Sequence, residues 1–268
     1  MELNDIFSRL WTGYSTENPS ADKVSNLLKN EGEEVINDHI AFRTLDVPEI
    51  SIDIVATPFI KNGYVQGGEY FFEDKHLFAK HYELPNDNSA PRVFISQLVL
   101  HDCSPFVREV FREAMLRVDL TKIDPELLIF KGQLFKPISY NIYRMLREES
   151  EYAAWFYVFG LRVNHFTVSV NALKKHNTIF KVNELLKKNG FSLNSSGGEV
   201  KGTPEELLQQ SSTMADLVKV RFEEGFYEIP SCYYEFAQRY KDSEGRLYKG
   251  FIAKSADKIF ESTDSMRR

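Results

Sequence analysis

Two histidine residues stand in similar surroundings in the two halves of the chain. His39 lies in the stretch Asp38-His-Ile-Ala-Phe-Arg-Thr44, and His165 lies in Val163-Asn-His-Phe-Thr-Val168. Both stretches are rich in β-branched and aromatic residues, a composition that is typical of buried strands. The sequence therefore predicts two strands, each of which carries one histidine among apolar neighbours.

Arg43 follows His39 by four residues, with Ala41 halfway between them. Alternate side chains of a strand share one face, so all three residues point the same way. The distance from His39 to Arg43 along an extended strand is about 13 Å. Because only a methyl group stands between the imidazole and the guanidinium, we expect an open space there that can hold a ligand.

Glu235 is a single carboxylate among aromatic and aliphatic residues, in Cys232-Tyr-Tyr-Glu-Phe-Ala237. An uncompensated buried carboxylate costs several kcal/mol, so this side chain must be paired or bound to a metal. Two histidines and one carboxylate that leave coordination positions open are the ligands of non-haem Fe(II) enzymes. His39, His165 and Glu235 are therefore candidate metal ligands.

Each of these residues also has a structural interpretation. A single histidine in a strand is more often a hydrogen-bonded core residue than a ligand, and Glu235 could instead pair with Arg162, Arg239 or Arg43. The metal interpretation is favoured because the two histidines occupy equivalent places in an internal duplication. The other four histidines lack such a context and are interpreted as surface or packing residues: His76, His81, His101 and His176.

The elements that must position the candidate ligands recur in one order. The first set is a strand at 39–45, a helix at 49–61, a turn at Gly67-Gly-Glu69, hairpin strands at 70–72 and 76–83, and a strand at 92–100. The second set is a strand at 163–170, a helix at 174–189, Gly197-Gly-Glu199, strands near 209–213 and 217–222, and a strand at 231–240 that Pro230 opens. Helices are expected at 3–14, 20–36 and 104–118.

This order predicts an α+β fold built from two βαβββ modules, at about 37–100 and 163–240. We expect residues 1–268 to form a single metalloenzyme domain. Helices in 1–36 precede the first module, a largely helical connection at 101–160 joins the two, and a segment at 241–268 packs back on the body.

The composition of the 268-residue chain excludes several classes of function. The net charge is -6 and no lysine–arginine cluster stands out, which argues against a nucleic-acid partner. Cys103 and Cys232 have no metal-type spacing, and two thiols indicate a reducing compartment. The N-terminus is polar and acidic, and no apolar run approaches the roughly 20 residues that span a bilayer. We therefore expect a cytoplasmic monomer or homodimer with no membrane partner.

Six short motifs resemble the 2-oxoadipate dioxygenase/decarboxylase family, whose fold is similar to that of the vicinal-oxygen-chelate enzymes. They span residues from about 35 to 261, in the order that the family has. The motifs are His39-Ile-Ala-Phe-Arg43-Thr, Gly67-Gly-Glu-Tyr70, Lys75-x-Leu77-x-Ala79, Asn164-His165-Phe-Thr, Tyr234-Glu235-Phe and Ser255-Ala256-x-x-Ile259-Phe260. The resemblance implies that the two modules form a partly open barrel around a metal site.

The resemblance also implies roles for individual residues. His39, His165 and Glu235 correspond to the ligands of Fe(II), or of another divalent metal, and Arg43 corresponds to the residue that holds a substrate carboxylate. Ser255 falls where the family has a serine that contacts the substrate. Lys254, beside it, replaces a small apolar residue and places a cation at the pocket rim.

The reaction that the resemblance implies consumes a small 2-oxo acid and dioxygen. The acid chelates the metal through its keto oxygen and carboxylate, loses carbon dioxide and is hydroxylated, so that 2-oxoadipate gives 2-hydroxyglutarate. Two other hypotheses stay open. One is a non-redox isomerase or lyase of the glyoxalase type that uses its metal as a Lewis acid. The other is a metal-free module that binds carboxylates through Arg43.

Overall fold

The computed structural model describes residues 1–85, 87 and 89–252. The strands are β1 (Asn37–Leu45), β2 (Val65–Phe72), β3 (Leu77–Glu83), β4 (Arg92–Leu98), β5 (Val163–Ser169), β6 (Leu208–Ser212), β7 (Leu217–Phe222), β8 (Gly225–Pro230) and β9 (Glu235–Arg239). The helices are α1 (Leu3–Glu17), α2 (Pro19–Asn30), α3 (Ile52–Lys61), α4 (Pro105–Met115), α5 (Tyr140–Glu149), α6 (Glu151–Phe159) and α7 (Ile179–Lys188). Of the helices in this described part, none is both long and apolar enough to cross a membrane.

Seven strands form one curled sheet in the order β2-β3-β4-β1-β5-β9-β6. The first strands of the two predicted modules, β1 and β5, lie antiparallel at its centre. Each has a parallel neighbour on its outer side, β4 beside β1 and β9 beside β5. The α+β class is therefore confirmed. The division into modules at 37–100 and 163–240 stays a prediction.

The two faces of the central strands have different partners. On β1, Phe42 packs against Phe59 of α3, with 6.0 Å between ring centroids. On β5, Phe166 packs edge-on against Trp11 of α1 at 5.1 Å. Because side chains alternate along a strand, packing of these phenylalanines beneath helices directs the histidines to the inner face of the curled sheet.

The predicted turn at Gly67-Gly-Glu69 is wrong, because these residues lie inside β2, where Gly68 and Glu69 pair with β3 and the register shifts at Gly67. Both positions require glycine because a side chain there would crowd the ring of His81. A Cβ atom on Gly67 would lie 2.2 Å from Nε2 of His81, and one on Gly68 would lie 3.2 Å from the same ring. The similar tripeptide Gly197-Gly-Glu199 does form a turn, and both of its glycines have positive φ.

The prediction that Pro230 opens a strand at 231–240 is also wrong. Pro230 is the last residue of β8, and the following strand, β9, begins at Glu235. The predicted strand 217–222 exists as β7, but it pairs only with β8, in a separate two-stranded sheet. A hairpin is therefore inserted between β6 and β9, and the second module differs from the first.

Two helices are shorter than the apolar periodicity predicts. Helix α2 ends at Asn30 instead of residue 36, and α7 begins at Ile179 instead of residue 174. Helix α2 ends because Gly32 takes a positive φ and the Glu33 N–H turns back to the carbonyl of Leu28. The late start of α7 follows from the Glu33 carboxylate, which accepts backbone N–H bonds from Lys174, Lys175 and His176 at 2.6 to 2.9 Å. These bonds hold the loop before α7 in a non-helical conformation, and Thr178 then caps the helix.

Candidate metal centre

His39, His165 and Glu235 meet on the inner face of the sheet. One ligand atom from each residue lies within 4.8 Å of the other two. The Nε2 atom of His39 is 3.4 Å from Oε1 of Glu235, and the Nε2 atom of His165 is 3.4 Å from Oε2. All three side chains are buried. The pairing of β5 with both β1 and β9 brings them together.

The residue that precedes each histidine fixes the orientation of its ring. Asp38 accepts a hydrogen bond from Nδ1 of His39 at 2.8 Å, and Oδ1 of Asn164 lies 3.0 Å from Nδ1 of His165. An ionised carboxylate can only accept, so Nδ1 of His39 must carry the proton. Both Nε2 lone pairs are then available, which is the arrangement of metal-bound histidines in proteins.

Asp38 is itself held by an ion pair. Arg239 donates to its two carboxylate oxygens from Nε at 2.7 Å and from Nη2 at 2.8 Å. Burial by itself would raise the pKa of Asp38, but the charge of Arg239 and the hydrogen bond from His39 outweigh it and lower the pKa. Asp38 therefore stays ionised and keeps the His39 ring in one orientation.

Burial controls the protonation of the three candidate ligands. It lowers the pKa of His39, and it lowers that of His165 well below the ordinary value, where the charges of His39 and Arg43 add to the effect. Burial also raises the pKa of Glu235 to about 8, although a hydrogen bond from Gln210 opposes the shift. Both imidazoles are neutral at pH 7, so neither supplies a positive charge to the carboxyl.

The donor set fits a divalent metal ion. Oε1 of Glu235 accepts from Gln210 at 2.6 Å, whereas Oε2 is buried and has no hydrogen-bond partner in the described part of the chain. A cation among the three residues would bind this oxygen and favour the ionised carboxylate. The hydroxyl of Thr167 lies 3.0 Å from Nε2 of His39, and its hydrogen can rotate away when that lone pair binds a cation.

Aromatic rings cover the two imidazoles. Tyr233 stacks on His165, with 4.9 Å between centroids, and Phe251 meets His39 edge-on at 4.8 Å. Phe251 also packs against Tyr70 and Phe94. These contacts keep bulk water away from the ligand atoms, which strengthens electrostatic interactions there.

The guanidinium of Arg43 is buried between aromatic rings. Its central carbon lies 4.9 Å from the centroid of Tyr152 and 5.0 Å from that of Trp155. Its Nη1 atom donates to both carboxylate oxygens of Glu151, at 3.0 and 3.1 Å. Arg43 faces inward, as predicted, and a carboxylate from α6, which no sequence pattern indicated, already binds it.

The three arginines considered as alternative partners of Glu235 bind other acidic residues. Arg162 pairs with Glu17, Arg239 with Asp38 and Arg43 with Glu151. The interpretation of Glu235 as half of a structural ion pair with one of them is therefore not supported. Ser255 and Lys254, the other predicted substrate contacts, lie outside the described residues.

Several polar residues of the site were missed. Asp38 and Asn164 occupy the same place before each histidine, and this shared position is a signal that the sequence contains. His81 is buried, in agreement with its interpretation as a packing residue, but its hydrogen bond was not predicted: Nδ1 lies 2.8 Å from the hydroxyl of Tyr70. No local pattern marks Gln210, which reaches Glu235 only because β6 pairs with β9.

Comparison with known proteins identifies the family. The family model of 2-oxoadipate dioxygenase/decarboxylase matches residues 6–130 and 121–246. The chain belongs to this family. Its Arabidopsis thaliana member, a chloroplastic 2-oxoadipate dioxygenase/decarboxylase, is 36% identical over 287 positions, which cover 97% of this chain and 77% of the relative. Because that relative is chloroplastic, a cytoplasmic location for this chain stays a prediction, as does its oligomeric state.

Solved structures of similar proteins agree with the family assignment. Rice hydroxyglutarate synthase in complex with 2-oxoadipate has a TM-score of 0.90 and 32% identity, with coverage of 98% of this chain and 93% of that one. A Shewanella frigidimarina protein described as a candidate hydrolase has a TM-score of 0.89 and 47% identity, with coverage of 94% and 98%. A glyoxalase-superfamily protein from Ralstonia eutropha, at 19% identity and a TM-score of 0.73, shares the fold.

Proposed function

We propose that this family member is an Fe(II)-dependent dioxygenase that oxidatively decarboxylates and hydroxylates a 2-oxo dicarboxylic acid. The observation that supports the proposal is that the buried side chains of His39, His165 and Glu235 lie close together. One oxygen of the Glu235 carboxylate has no hydrogen-bond partner among the described residues. Two imidazoles and one carboxylate leave coordination positions open for both substrates of an oxygenase.

The proposed substrate is 2-oxoadipate or a close analogue. The Arabidopsis relative is named for this acid, and the rice structure contains it. The balanced reaction joins one 2-oxoadipate and one dioxygen to give one 2-hydroxyglutarate and one carbon dioxide. One oxygen atom of dioxygen enters the new carboxylate and the other enters the new hydroxyl group.

The side chains of this site would have two separate roles, metal binding and orientation of the metal ligands. His39, His165 and Glu235 would hold the metal, and bound Fe(II) would supply the centre at which the 2-oxo acid chelates and dioxygen is activated. Asp38 and Asn164 would keep both rings in the ligand orientation through their Nδ1 contacts.

Arg43 would bind the distal carboxylate of the substrate. A buried guanidinium can bind a carboxylate through parallel hydrogen bonds, and the interaction is strong where water is excluded. Glu151 neutralises this charge in the ligand-free protein, and its side chain is 22% exposed, so it can turn toward solvent as the substrate enters. Ser255 and Lys254 are proposed as further substrate contacts from the family resemblance.

Oxygen consumption tests the proposal directly. The protein is reconstituted with Fe(II) without air, mixed with 2-oxoadipate and then exposed to dioxygen in an electrode cell. We expect equal amounts of dioxygen consumed, carbon dioxide released and 2-hydroxyglutarate formed. His39→Ala, His165→Ala and Glu235→Ala should abolish this uptake, whereas His101→Ala, at a histidine whose side chain is 78% exposed, should retain it.

Two results would contradict the proposal. Turnover of the acid in the absence of dioxygen would favour a non-redox lyase or a hydrolase. Full activity in all three ligand variants would exclude the proposed metal centre.

A further inference from the structure

The hydroxyl group of Tyr233 is buried inside the candidate site. Tyr233 is 1% exposed, and its oxygen has no hydrogen-bond partner among the residues that the structure describes. Its ring stacks on His165 with an interplanar angle of 26°. A buried hydroxyl without a partner destabilises the folded protein, unless a ligand supplies the missing hydrogen bond.

The backbone leading into β9 directs Tyr233 toward the site. Tyr233 and Glu235 are two residues apart, and both approach His165. Tyr234, between them, packs on the opposite side against Trp11 of α1 at 5.7 Å. This alternation is that of extended chain, so the hydroxyl of Tyr233 lies on the inner face of the sheet.

Tyr233 also lies close to the proposed carboxylate pocket. Trp155 links the two: its ring lies 5.0 Å from the Arg43 guanidinium, and its indole N–H donates to the carbonyl oxygen of Ser231, two residues before Tyr233, at 2.7 Å. Tyr233 therefore contacts a candidate metal ligand through its ring and follows a segment that is held against the Trp155 ring on which Arg43 stacks.

We propose that the hydroxyl of Tyr233 donates a hydrogen bond to the same distal carboxylate that Arg43 binds. This inference rests on the proposed function. A phenol is protonated at neutral pH and can donate one hydrogen bond, while the guanidinium donates others to the same group. An acid without this carboxylate leaves both buried donors without their acceptor, so the pair selects dicarboxylic over monocarboxylic 2-oxo acids.

Two tyrosine-to-phenylalanine variants test the proposal. Tyr233→Phe keeps the ring that stacks on His165 and removes only the oxygen, and Tyr234→Phe is the matched control on the opposite side. Binding of 2-oxoadipate and of 2-oxohexanoate to the Fe(II)-loaded protein is measured by calorimetry without dioxygen. We expect Tyr233→Phe to bind 2-oxoadipate roughly ten- to a hundredfold more weakly, with unchanged affinity for 2-oxohexanoate. Tyr234→Phe should bind both acids like the wild type.

Thermal unfolding provides a second measurement. Because Tyr233→Phe removes an unsatisfied hydroxyl, the ligand-free variant should melt at or above the wild-type temperature. Equal loss of affinity for both acids, or loss for neither, would overturn the inference. A wild-type protein that does not distinguish the two acids would instead contradict the carboxylate pocket of the proposed function, and the inference would fail with it.

Discussion

In the absence of the proposed metal, raising the pH should destabilise this protein through Glu235. Burial raises the pKa of this carboxyl from 4.5 to about 8 in the folded, metal-free chain. Between these two values the folded state binds a proton that the unfolded state has lost. The free energy of unfolding therefore falls as the pH rises, by about 1.4 kcal/mol for each pH unit.

The interval from pH 6.5 to 8 isolates this effect. The pKa values of His39 and His165 are lowered from 6.5, so these rings change stability only below that pH and with the opposite sign. As the pH rises over these 1.5 units, the ionisation of Glu235 should lower the free energy of unfolding by about 2 kcal/mol. In the metal-loaded protein the carboxylate is ionised in both the folded and the unfolded state, so the loss disappears.

Urea denaturation measures this prediction. Unfolding midpoints are compared at pH 6.5, 7, 7.5 and 8, once with a chelator and once with Mn(II), which avoids oxidation in air. Glu235→Gln keeps the shape of the side chain and removes its charge, so its chelated form should show no such slope. Parallel pH profiles for the wild type and Glu235→Gln would refute the raised pKa, and profiles that Mn(II) does not change would refute the metal centre.

Three further predictions follow from other contacts. Gly67→Ala places a methyl group 2.2 Å from the ring of His81 and should lower the free energy of unfolding by about 1–3 kcal/mol, whereas Gly13→Ala, on an open face of α1, should raise it by up to about 1 kcal/mol in the same urea titration. Burial lowers the pKa of His81 from 6.5 to about 4, so the stability that depends on its neutral ring is lost as the pH falls between these values, by about 3 kcal/mol. His81→Phe should show a smaller loss between pH 6.5 and 4. Asn164→Ala removes the contact that orients His165 and should weaken metal binding about 10- to 100-fold in a chelator competition assay, and unchanged affinity would exclude this role.

Much of the candidate site could be predicted from sequence because the relevant signal is local. Strand alternation directs His39 and Arg43 to one face wherever the strand is placed, and a buried carboxylate such as Glu235 must have a partner. The histidine at an equivalent place in the second half, His165, then needs only the duplication to be recognised. The same local reasoning gave the α+β class, and the comparisons confirm it.

Local sequence patterns gave wrong predictions for residues whose conformation depends on contacts with distant parts of the chain. The glycine pair at Gly67 is typical of a turn, but the segment pairs with β3 as a strand, and the residue must be glycine because the ring of His81 packs against it. Pro230 resembles the start of a strand, but a hairpin inserted before β9 makes it the end of β8. Glycine widens the range of backbone conformations and proline narrows it, and the neighbours in space decide whether such a residue lies in a turn, in a strand or at a strand end.

The sequence by itself determined which residue types were available, the side of the central strands on which they lie and the chemistry that two imidazoles and one carboxylate can perform. Only the tertiary structure decided their partners, since Glu151 binds Arg43 across 108 residues and Arg239 binds Asp38 across 201. The physical reason is that the periodicity of a strand is set by its own backbone. Contacts between strands and helices depend instead on how the whole chain closes around its core.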